Sequence, residues 1–82
     1  MKKKTIVIKS TAGIHAMLAA KIVHLTQAHD VKVYMQYEDR IIDAASILGL
    51  MSLAVPPGTN IDLVAEGPDA DQAIAAIEGV LS

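Results

Sequence analysis

Val31-Lys32-Val33-Tyr34-Met35-Gln36-Tyr37-Glu38-Asp39-Arg40-Ile41-Ile42-Asp43 contains two strand-like segments joined by a polar pair. From Val31 to Tyr37 the chain alternates strictly, the period of a strand with two unlike faces. Glu38-Asp39 forms the turn, and Arg40 to Asp43 is a short second strand. A connection this tight joins antiparallel strands, so the sheet is expected to grow from an antiparallel hairpin.

On the N-terminal side, His29-Asp30 closes a helix expected from about Ala16 to Ala28. Ala19, Ile22, Val23 and Thr26 form its apolar stripe, widened by Leu18 and Leu25, while Met17, Lys21 and His24 lie on another face. Thr5 to Lys9 is expected to be a first strand, with Ile6 and Ile8 on one side. On the C-terminal side, Ser46 precedes an apolar run and is expected to cap a short helix. Ile47, Leu50 and Leu53 or Ala54 should face inward on it, and Leu48, Met51 and Ser52 outward. Pro56-Pro57-Gly58 turns the chain, Asn60 to Glu66 is a fourth strand, and Gly67-Pro68 breaks it. Asp69 is expected to cap a last helix with its carboxylate, Gln72 loosely completing a capping box. That helix should bury Ala70, Ala73, Ile74, Ile77 and Leu81. The order β-α-β-β-α-β-α fits an α+β open-faced sandwich: four antiparallel strands with three helices on one face, in a single domain over residues 1–82.

Composition narrows the function. The chain has 82 residues, no cysteine, a formal charge of −2, and no aromatic residue besides Tyr34 and Tyr37. That excludes disulfides and thiolate metal sites, and argues against a general nucleic-acid binder working by charge or base stacking. The Lys2-Lys3-Lys4 run reads as a solvated N-terminal segment. No apolar run approaches a membrane span and nothing resembles a signal peptide, so a cytoplasmic location is expected. His15, His24 and His29 are too scattered for a metal site. No cofactor is expected, and no nucleophile–base arrangement that would make the chain an enzyme.

One histidine stands apart. In Ser10-Thr11-Ala12-Gly13-Ile14-His15-Ala16-Met17 a polar turn becomes a helix, and His15 falls at the junction. A helix N-terminus carries unpaired N–H groups and partial positive charge. A phosphate attached to His15 would meet the backbone N–H groups of Ala16 and Met17. Gly13 permits a close backbone approach there.

Two segments together resemble the signatures of a known family: Ala12-Gly13-Ile14-His15-Ala16 with Ala19-Ala20, and Ser46 through Ala54. The family is HPr, the histidine-containing phosphocarrier of the bacterial sugar phosphotransferase system. The second segment, running on through Gly58-Thr59 to Ala65-Glu66-Gly67, is also close to the regulatory paralogue Crh. The resemblance implies that His15 accepts a phosphoryl group from enzyme I and passes it to sugar-specific acceptor proteins. It implies Ser46 as a regulatory phosphosite for an HPr kinase, with a transcriptional regulator as reader. It places partner docking on the faces that carry Met17, Ile47, Leu48 and Met51. A Crh-like regulatory module, acting through phospho-Ser46 with little phosphotransfer, is the alternative. The chain departs from the family pattern where Arg and Pro usually follow His-Ala: here Met17 and Leu18 stand. Ala45 likewise stands where family members commonly carry lysine, and Gly49 where some of them do.

Overall fold

The hairpin forms as its alternation dictates. In the computed structural model, which describes residues 1–9, 14–53 and 55–81, strands β2 (Lys32–Tyr37) and β3 (Arg40–Asp43) pair antiparallel. Met35 lies opposite Ile42 on the inner face and Gln36 opposite Ile41 on the outer. The expected readings of Ser10 to Gly13, and of Ala54, fall outside the described residues. Strand β4 (Asn60–Glu66) pairs with β2 on one side and with β1 (Lys2–Val7) on the other, giving a four-stranded sheet in the order β1-β4-β2-β3. Every pairing is antiparallel.

Register selects the buried face. Ile6 meets Ile61, Leu63 meets Met35 and Ala65 meets Val33, and all six are buried. Helices α1 (Ala16–Ala28), α2 (Ile47–Ser52) and α3 (Ala70–Leu81) cover this face. Ala19 and Ile22 from α1, Leu50 from α2 and Ala70, Ala73, Ile74, Ile77 and Leu81 from α3 complete the core. Fully burying a Leu or Ile contributes about 1.5–3 kcal/mol, so a domain this small depends on nearly all of them. Thr26 is the buried polar residue of α1, and its hydroxyl donates to the Val23 carbonyl at 2.8 Å.

Three expectations are corrected. The first strand runs from Lys2 to Val7 instead of Thr5 to Lys9, because its partner β4 starts at Asn60, opposite Val7. The lysines stay solvated, as expected, but lie within that strand. Lys2 and Lys4 share the inner side of this edge strand and reach Asp71 and Glu78 of α3, at 4.0 and 2.7 Å. Lys3 lies on the outer side, 3.7 Å from Asp62.

Ile47 is 43% exposed instead of inward. It opens a helix of six residues, and side chains lean toward a helix's N-terminus, so that of Ile47 projects past the first turn while Leu50 and Leu53 fill the core. Finally, the Asp69 carboxylate does not cap α3. It accepts from the Asp30 backbone N–H at 2.7 Å, while the Asp69 N–H donates to the Asp30 carbonyl at 3.2 Å. The two bonds tie the loop before β2 to the loop before α3.

Candidate functional site

His15 is the N-cap residue of α1. Its backbone is extended, with φ −96° and ψ 177°, and its carbonyl accepts the Ala19 N–H at 2.9 Å. Its side chain takes the role usual for Ser or Asp: Nδ1 accepts the Met17 N–H at 3.2 Å. A ring nitrogen that accepts carries a lone pair and no proton, so the neutral ring holds its proton on Nε2. Thus the Nδ1 lone pair points at the helix terminus while the residue stays exposed. Ile14 beside it is buried and anchors the approach to the helix. Of the two N–H groups expected to wait for phosphate, that of Met17 is already engaged, by the histidine itself.

Met17 is 66% exposed on the first turn of α1, and Leu48 on α2 is 82% exposed, so Met17 does not fold over to cover it. Instead Met17 lines a shallow groove of about 440 Å³ with Ala20, Lys21, His24, Leu25 and Val80, between α1 and α3. Val80 comes from the far end of the chain, and the pattern around His15 gave no sign of it.

Helix α2 packs against α1 and exposes Ile47, Leu48 and Met51. It contains no charged residue, and on α1 the basic side chains are Lys21 and His24. His29 is occupied elsewhere, its Nδ1 donating to the Leu25 carbonyl at 2.8 Å to close α1.

Ser46 caps α2. Its hydroxyl accepts the Gly49 N–H at 3.0 Å, and its own N–H donates to the Asp43 carbonyl at 3.0 Å. Asp43 Oδ1 also accepts the Ala45 N–H at 2.8 Å, so the turn into the helix is held twice. Gly49 keeps Ser46 uncrowded, since a Cβ there would lie 3.2 Å from its Oγ. Replacing Ser46 by Ala should destabilise the protein by about 1 kcal/mol, read from the urea midpoint at unchanged slope. An unaltered midpoint would show that the cap contributes nothing.

At the other end of α2, Arg40 meets the Ser52 carbonyl and hydroxyl at 2.8 and 2.9 Å, an arrangement the sequence did not announce. Among the described residues no helix is long and apolar enough to cross a membrane, and no group of three or more His, Asp or Glu could hold a metal ion.

Comparison with known proteins agrees on one family. Residues 2–82 match the family described as PTS HPr component phosphorylation site. The phosphocarrier protein HPr of Treponema pallidum is 38% identical over 78 residues, covering 95% of this chain and 89% of that protein. HPr of Thermoanaerobacter tengcongensis superposes with a TM-score of 0.90 at 36% identity, over 99% of this chain and 91% of the other. Crh of Bacillus subtilis, solved as a domain-swapped dimer, gives 0.78 at 30% identity, over 99% and 93%.

Proposed function

The chain belongs to the HPr family of phosphocarriers, which are carriers and not enzymes, and on that premise we propose that it shuttles phosphoryl groups on His15 between enzyme I and an acceptor protein. One observation carries the reading: an exposed imidazole whose Nδ1 lone pair is held against a helix N-terminus. In the transfer, that lone pair attacks phosphorus, the new N–P bond forms, and the donor's bond to phosphorus breaks. The Met17 N–H then exchanges its acceptor, from Nδ1 to a phosphoryl oxygen, and the Ala16 N–H joins it. Both donors belong to the backbone and sit in the first turn, where the helix dipole favours the anion. Such holding is modest, as it must be for a group that has to leave again.

We assign partner docking to Met17, Ile47, Leu48 and Met51, extended by the groove along α1. With the nearby charge reduced to Lys21 and His24, affinity should rest on apolar packing, for which Met is well suited. Partner affinity is therefore expected to change little across a salt series, because screening acts on charges. Met17→Glu or Met51→Glu should weaken it about tenfold or more, since a carboxylate is buried without a partner. A steep salt slope, with neither substitution weakening binding, would return the site to electrostatic docking.

Ser46 is proposed as the regulatory phosphosite, with an HPr kinase as writer and a transcriptional regulator as reader. A phosphate there would meet the Gly49 N–H that the hydroxyl already accepts, and the small residue at 49 leaves room.

The carrier reading is tested by incubating the protein with phosphoenolpyruvate and a bacterial enzyme I. One acid-labile phosphate on His15, absent in His15→Ala, is the expected result. An unmodified parent chain that still takes phosphate on Ser46 from HPr kinase and ATP would overturn the carrier role in favour of the Crh-like one.

A further inference from the structure

Helix α2 carries three of the proposed docking side chains, yet little in its own sequence holds it. It has six residues, Gly49 lies in its middle, and glycine costs about 1 kcal/mol relative to alanine inside a helix. A helix leaves its last four carbonyls without partners. Here those of Gly49, Leu50 and Ser52 are satisfied, by the Ser52 hydroxyl at 2.7 Å, by the Leu53 N–H at 3.3 Å and by Arg40 at 2.8 Å.

Two of these three depend on one cluster. The Arg40 guanidinium donates to the Ser52 carbonyl through Nη1 and to its hydroxyl through Nη2, and that hydroxyl donates in turn to Gly49. The Gly49 N–H meanwhile donates to Ser46 Oγ, so a continuous chain of bonds runs from Arg40 along α2 to its N-cap. Arg40 is the only arginine in the sequence. It opens β3 directly after the Glu38-Asp39 turn, opposite Tyr37, on a strand held by its own hairpin.

We propose that Arg40 is a positioning residue for partner docking: it fastens the C-terminal turn of α2 to the β2–β3 hairpin and so fixes how Leu48 and Met51 are presented. The proposal rests on the carrier reading for what docks, and on hydrogen bonds within the protein for the fastening itself. A planar fork with two donors suits a carbonyl and a hydroxyl on one residue, which a lysine ammonium can satisfy only in part.

The test uses Arg40→Ala, Arg40→Lys, Ser52→Ala and the Arg40→Ala/Ser52→Ala double variant. Amide hydrogen exchange on the free protein should show protection in α2 falling about three- to tenfold in Arg40→Ala, with the amides of β2 and β4 unchanged. Phosphotransfer from enzyme I should show a KM raised by a similar factor at unaltered kcat, because His15 and its helix are untouched. Arg40→Lys should recover part of both effects, and the double variant should be no worse than the poorer single one, since the residues act as a unit. Lost protection with an unchanged KM would overturn the proposal, leaving Arg40 a merely structural residue. A raised KM with α2 protection intact would also overturn it, by making Arg40 a direct partner contact. If the parent chain takes no phosphoryl group, the carrier reading fails and exchange alone decides the fastening: unchanged α2 protection in Arg40→Ala then refutes it.

Discussion

Met17→Arg is expected to accept phosphate from enzyme I faster than the parent chain, recovering part of a deficit of about ten- to a hundredfold, when the enzyme I is one that serves an HPr with arginine at this position. Such an arginine offers a permanent planar donor to phosphate and to an acidic partner, and methionine offers neither. A hydrogen bond to a charged group is worth about 1.5–3 kcal/mol when fully engaged, which is roughly one to two decades in rate if engaged only in the transition state. The new side chain should fit without repacking, since Met17 is largely exposed and its backbone N–H remains with His15. Rapid-quench measurement of phosphohistidine formation reads the effect. A variant no faster than the parent would mean that Met17 is not the limiting departure, and would shift attention to Leu18. The converse is expected for the chain's own partner, whose apolar contact at this position would be disturbed by the new charge.

Gly67→Ala is expected to destabilise the fold by about 2–4 kcal/mol, out of a total near 4–12 kcal/mol for a domain of this size. Gly67 has φ +133°, a conformation that side chains rarely adopt. A Cβ there would also lie 2.6 Å from the Asp30 carbonyl oxygen and 3.0 Å from Val31 Cα. Neither can yield freely, because Asp30 is bonded through both its N–H and its carbonyl to Asp69. Gly58→Ala is the internal control: Gly58 has φ +83° but a Cβ there would meet nothing within 4 Å, so only backbone strain remains, worth about 1 kcal/mol. Urea unfolding of both variants separates the terms. Equal losses would show that the approach to Asp30 relaxes.

That close approach illustrates what sequence pattern could and could not reveal. Gly67-Pro68 reads correctly as a chain break, but only the packed structure shows the glycine pressed against Asp30 from another loop. Elements whose periodicity serves one buried face were legible to their ends: α1, β3 and β4 lie where alternation and helical spacing put them. The core face of α3 was equally clear, since five small or aliphatic residues recur at helical spacing. Capping by Asp69 was misjudged because a carboxylate can bond any nearby N–H, and the competing donor was Asp30, from a distant part of the chain. His15 was conspicuous as a histidine at a helix start. Its service as the cap itself was not, since imidazole is not among the usual capping groups. Arg40 escaped notice for a similar reason: a charged residue after a hairpin turn looks like solvent-facing decoration until Ser52 is brought beside it.

The pairing of β1 with β4 also sets an order of events during synthesis. The β2–β3 hairpin closes locally, within about 1–10 μs of being available. Strand β1 has no such neighbour: Lys2 lies opposite Ala65 and Val7 opposite Asn60, and beyond the strand the Lys9 N–H donates to the Leu81 carbonyl at 2.9 Å. At roughly 5–20 residues per second of translation, this first segment must wait several seconds for its place in the sheet. Throughout that interval Ile6 and Ile8, both buried in the finished protein, face water in a β-prone stretch with unpaired backbone groups. Charges flanking such a stretch hinder strand-to-strand association between chains. Lys2, Lys3 and Lys4, which later reach Asp71, Asp62 and Glu78, are already there to keep one nascent chain from adhering to the next.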